Sequence, residues 1–116
     1  MEMLTCQADG LTFAVSRAKL GDPAAVAPAL AAMGQVALRN LDGHVLASAP
    51  TQVPGMTPQA GALSWHLAGK RADGQPVQMR LAVFAHGTWV YQAAVVGVNL
   101  APARTQPMFD SLAVVL

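Results

Sequence analysis

The chain has 116 residues, of which 53% are hydrophobic and only 11% charged, and its net charge is +1. That is one domain's worth of sequence with enough apolar side chains for a core that needs no metal or disulfide, and a charged share below half the usual ~25% argues against disorder. Its seven Lys and Arg residues are scattered, with only Lys70 and Arg71 adjacent, so the basic stripe that nucleic-acid binding needs is missing, and no apolar run reaches the ~20 residues of a membrane-spanning helix.

Met1-Glu-Met-Leu-Thr-Cys6 is too short and too acidic for a signal peptide. The chain as it stands reads as cytoplasmic, and as an envelope protein if a leader has been removed. Cys6 is the lone cysteine and can form no internal disulfide. Met3 to Ala8 and Leu11 to Arg17 flank Asp9-Gly10, a strong hairpin signal. Gly21-Asp22-Pro23 starts a helix, with Asp22 placed to accept from a free amide of the first turn and Pro23 where its missing N–H is harmless. The helix runs from Ala24 to about Arg39, with Val26, Leu30, Met33 and Val36 or Leu38 on one face. Pro28 is its awkward residue: either the first turn bends there, or the regular helix starts near Ala27.

His44 to Val53 reads as a strand, and Val53-Pro-Gly-Met-Thr-Pro58 as a loop. A meander of three strands follows. Leu63, Trp65 and Leu67 alternate with Ser64 and His66, and Val77, Met79, Leu81 and Val83 repeat the pattern. A three-residue turn at Ala72-Asp73-Gly74 pairs Leu67 with Met79, Trp65 with Leu81 and Leu63 with Val83, and sets His66 opposite Arg80 on the other face. A two-residue turn at His86-Gly87 would place Val90 beside Val83 and Trp89 beside Phe84. One face of this end carries Val83, Val90, Ala94 and Val96, and the other carries Phe84, Trp89, Tyr91 and Val95, so both sides need cover. A last helix from about Thr105 would lay Met108, Phe109, Leu112 and Leu116 on the sheet. The plan is a single α+β domain, residues 1–116, in which two helices pack an antiparallel meander.

Several phrases then carry a resemblance: Asp9-Gly-Leu-Thr-Phe-Ala-Val-Ser-Arg17, Val53-Pro-Gly-Met-Thr-Pro-Gln-Ala-Gly-Ala-Leu63, Gly69-Lys-Arg-Ala-Asp-Gly74, Gly87-Thr-Trp-Val-Tyr91 and Met108-Phe-Asp-Ser-Leu112. In these the chain resembles the bacterial DcrB-related members of the Mog/PsbP-like fold, with its opening strands shortened relative to that pattern. The resemblance implies an α/β/α sandwich and a non-enzymatic role. Relatives of that kind include envelope lipoproteins, photosystem accessory proteins, a nuclear-transport partner, and chaperone-like proteins that shield apolar segments of secreted effectors. The matching phrases are turn and packing positions, so the fold they imply does not choose among these roles.

The chemistry of the side chains points the same way. Asp9, Asp42 and Asp73 each precede a turn glycine and Asp22 caps a helix, leaving Glu2 and Asp110 far apart. His44, His66 and His86 lack metal-ligand spacing. No lysine or arginine flanks Cys6 to activate its thiol, and no Gly-rich phosphate loop or nucleophile elbow occurs. No cofactor or metal is expected. The expectation is a non-catalytic accessory domain whose apolar excess serves a protein partner or a second copy. Phe84, Trp89 and Tyr91 are its candidate surface, unless the last helix covers them. The alternative is a small-ligand module with a pocket between sheet and helix near Trp65, in which His66 and Arg80 would contact an anion.

Overall fold

A computed structural model describes residues 2–8, 10–41, 43–51, 53, 55–57, 61–70, 73–98 and 100. Six strands form one antiparallel sheet: β1 (Glu2–Ala8), β2 (Leu11–Lys19), β3 (His44–Pro50), β4 (Leu63–Lys70), β5 (Pro76–His86) and β6 (Trp89–Gly97), in the order β1-β2-β6-β5-β4-β3. The first hairpin joins the meander by pairing β2 with β6, so β1 and β3 are the two edges.

A 3-10 turn (Pro23–Ala25) leads into the helix α1 (Val26–Asn40). The Ala24 amide donates to Asp22 Oδ1 at 2.9 Å, as the sequence predicts. Pro28 is tolerated because it lies in the first turn of α1, where amides have no partner within the helix. Val26, Leu30, Met33, Ala37 and Leu41 form the buried stripe, meeting Leu67, Leu81, Val83 and Val90 of the sheet. Val36 is 44% exposed and lies outside that stripe, while Leu38 packs against it. The far end of α1 is fixed by backbone: the Gly43 amide donates to Leu38 O at 3.2 Å, and the Lys70 amide of β4 donates to Leu41 O at 2.8 Å.

The expected two-helix α/β/α sandwich is corrected. The sheet dominates the fold, and among the described residues α1 is the single α-helix, packed on one face. The second helix was expected beyond Thr105, which lies outside the described residues. Val53, Met56 and Ala62 of the connection between β3 and β4 pack on Phe84, and Leu100 packs on Leu11 and Val95.

The β4–β5 ladder has the expected register, Leu67 opposite Met79, Trp65 opposite Leu81, Leu63 opposite Val83 and His66 opposite Arg80. At the turn, the Gln75 amide donates to Asp73 Oδ1 at 2.9 Å and Gly74 takes φ 87°. The β5–β6 register differs by two residues. The turn is Gly87-Thr88, so Val83 faces Gln92 and Phe84 faces Tyr91. This puts Gly87, at φ 59°, in the first turn position, where a left-handed backbone is required. A shift of two leaves every side chain on its predicted face. β3 is shorter than predicted, ending at Pro50, with a register shift between Val45 and Ala47.

Candidate functional site

The aromatic candidates lie on the sheet face away from α1. The Phe84 and Tyr91 rings stack with centroids 5.3 Å apart and planes at 10°. Phe84 is buried beneath a strap formed by Val53 and residues 55–57. Three hydrogen bonds pin the strap: the Thr57 amide to Ala85 O (2.7 Å), the Gly87 amide to Thr57 Oγ1 (2.9 Å), and His86 Nδ1 to Gly55 O (2.8 Å), where the imidazole donates because the carbonyl can only accept. Trp89 is half-buried, with the Arg17 guanidinium 4.8 Å from its ring centroid. The three aromatic side chains therefore share a face, and the strap covers the innermost of them.

His66 and Arg80 sit opposite each other on that same outer face, both half-buried. His66 Nε2 lies 3.1 Å from Gln78 Oε1. They line a cavity of about 370 Å³ floored by the small side chains of Ala47, Ala49 and Ser64. Trp65 packs on the other face, beneath Gly34 of α1, so His66 and Arg80 do not join it in a pocket between sheet and helix. The indole Nε1 of Trp65 is buried without a hydrogen-bond partner.

Cys6 is exposed on β1. It shares a cross-strand row with Phe13, Val95, Arg80 and His66, four strand spacings from that histidine. At ~4.8 Å per spacing this is about 19 Å, so the two do not form a nucleophile–base pair. His44 starts β3 and His86 ends β5, where it is engaged with the strap.

Sequence reasoning missed the groove beside α1. The helix lies over β4, β5 and β6, and the sheet continues past it through β2 and β1. Ala29, Ala32, Met33 and Val36 of α1 face Ala18 and Val90 of the sheet across a mostly apolar groove of about 440 Å³. Beyond it, Ala14 and Ser16 of β2 and Met3 and Thr5 of β1 extend the same sheet face, and Met3 is 62% exposed. Two strands make a shelf roughly 10 Å wide, the diameter of one helix with its side chains. The available signal was the composition of α1: its fifteen residues include only three polar ones, Gln35, Arg39 and Asn40.

Among the described residues, no helix is long and apolar enough to cross a membrane. No protein-family model matches the chain, and no curated protein does. Among solved structures it is similar to the crystal structure of PA94, a protein of unknown function from Pseudomonas aeruginosa described as a candidate regulator. The TM-score is 0.70 at 15% identity, over 99% of this chain and 83% of that one. A likeness at that identity is a likeness of fold.

Proposed function

We propose that this chain is a non-catalytic binding domain that holds an apolar helical segment of a partner protein on the shelf beside α1. One observation carries the reading. α1 is apolar around most of its circumference, yet Ala27, Ala31, Ala32 and Val36 face outward. A helix that is apolar on every side is normally buried on every side. Here the sheet covers one flank, and the adjoining shelf offers a second helix a sheet floor and a helical wall. Small side chains along the groove allow a close helix approach, and Met3 and Val36 supply apolar area at its margins. The role agrees in kind with the one implied by the resemblance to DcrB-related proteins, that of an accessory domain shielding an apolar segment.

The test is fluorescence anisotropy with a labelled helical peptide rich in Leu and Ala, alongside light scattering of the free protein. The account predicts a monomer that binds the peptide, and at least about tenfold weaker binding by Ala32→Glu or Val36→Glu at an unchanged Tm, since both side chains point outward. A stable dimer that either variant dissociates would assign the shelf to a second copy, and peptide binding unchanged by both variants would place the peptide elsewhere; either result would overturn the proposal.

A further inference from the structure

The groove beside α1 carries a polar group in an apolar lining. Among the described residues, Gln92 of β6 is the single polar residue that lines it, and it is half-buried. Gln92 stands in a cross-strand row with Val83 on one side and with Ser16 and Met3 on the other. Val83 packs in the core beneath α1, so the whole row faces the helix side of the sheet. Ser16 is the one buried polar side chain among the described residues, at 7% exposure. Neither the Gln92 carboxamide nor the Ser16 hydroxyl makes a hydrogen bond among the described residues.

Those two groups constrain what can lie on the shelf. A carboxamide offers an acceptor oxygen and two N–H donors, and a serine hydroxyl both donates and accepts. A helix laid over the row takes water away from them. If its contact face were purely aliphatic, both groups would be sealed without partners, which costs more than a hydrogen bond returns. A charged side chain at that point fares no better, because no charged residue lines the groove to pair with it. The fitting complement is a second carboxamide, which accepts from Gln92 Nε2 and donates to Gln92 Oε1 at once. Thr5 and Gln7 share this sheet face, but both are exposed on the edge strand β1 and keep their water.

We propose, on the reading of the shelf as a helix site, that the helix it receives carries one glutamine or asparagine in an otherwise apolar contact face. Gln92, backed by Ser16, selects that residue and fixes the register of the helix along the groove. A single amide in the apolar seam of a coiled coil sets register in the same way.

The test is a double-mutant cycle read by fluorescence anisotropy. Two capped helical peptides of Leu and Ala differ at one central position of the contact face, where one has glutamine and the other methionine, a side chain of equal length. Both are titrated into the natural chain and into Gln92→Met. The ratio of affinities, glutamine peptide over methionine peptide, is expected to fall about tenfold in the variant, a coupling of about 1.4 kcal/mol. Ser16→Ala should lower the same ratio by less. In the isotope-labelled natural chain, the side-chain NH2 signals of Gln92 should shift further with the glutamine peptide than with the methionine peptide, a readout that needs no variant to fold. A ratio unchanged by Gln92→Met, with both peptides still shifting the amides of Ala29–Val36, would overturn this proposal and leave the shelf reading standing. Equal shifts of the Gln92 side chain with the two peptides would also overturn it. Binding of neither peptide would overturn both.

Discussion

Replacing Gly34 by alanine should destabilise the protein, although alanine is the better helix former. A Cβ built on Gly34 falls 2.7 Å from Trp65 Cζ2 and 2.9 Å from its Cη2, closer than real side chains approach. The indole cannot swing aside at little cost, because it is held between α1 and the sheet with its Nε1 buried. Overpacking of this kind costs about 1–3 kcal/mol, and the two ring contacts put this case near the upper end. Helix propensity returns about 1 kcal/mol. The net loss is about 2 kcal/mol, or about 8 °C in Tm for a domain of this size. Trp65→Leu removes the ring atoms that clash, so in that background Gly34→Ala should stabilise by about 1 kcal/mol. The assay is urea unfolding of the four proteins, followed by circular dichroism, read as a double-mutant cycle with a coupling of about 3 kcal/mol. A neutral or stabilising Gly34→Ala in the natural background, or a coupling below about 0.5 kcal/mol, would refute the packing of Gly34 on Trp65.

Other substitutions test other joints of the fold. Gly69→Ala meets the Leu41 carbonyl, a backbone group that already accepts from the Lys70 amide. Its cost in urea unfolding should exceed about 3 kcal/mol, because no side-chain rotation relieves it. Phe84→Ala should cost about 3–5 kcal/mol and loosen the strap, so the Thr57 amide, which donates to Ala85 O, should exchange with solvent faster. Asp22→Ala removes the cap on the Ala24 amide and should lower stability by about 1 kcal/mol, with the loss of helical signal confined to the start of the helix.

The parts of this fold that could be read from the sequence are those where local chemistry decides. The β4–β5 register follows from strict alternation at Leu63, Trp65 and Leu67 against Val77, Met79 and Leu81, since any one-residue slip would turn those side chains to the wrong face. The β5–β6 register was less legible, because Val90, Tyr91, Ala93, Val95 and Val96 are apolar at both parities. The two candidate turns then differ only in which position Gly87 fills. Pairing of β2 with β6 joins residues about 80 apart in the chain and leaves no local mark. The same limit explains the site. His66 and Arg80 were placed together because they are cross-strand neighbours. The shelf arises from where α1 happens to lie across the strand order, and only the scarcity of polar residues in α1 hinted at it.

The most direct measurement of the central claim is a map of backbone amide shifts as an apolar helical peptide is titrated into the labelled protein. Binding on the shelf predicts shifts clustered at Ala29–Val36 of α1 and at Ala14–Ala18 of β2, with Phe84 and Tyr91 unmoved beneath and beside the strap. Shifts clustered instead around Phe84, Trp89 and Tyr91, with the shelf silent, would contradict the assignment and return the binding surface to the opposite face of the sheet.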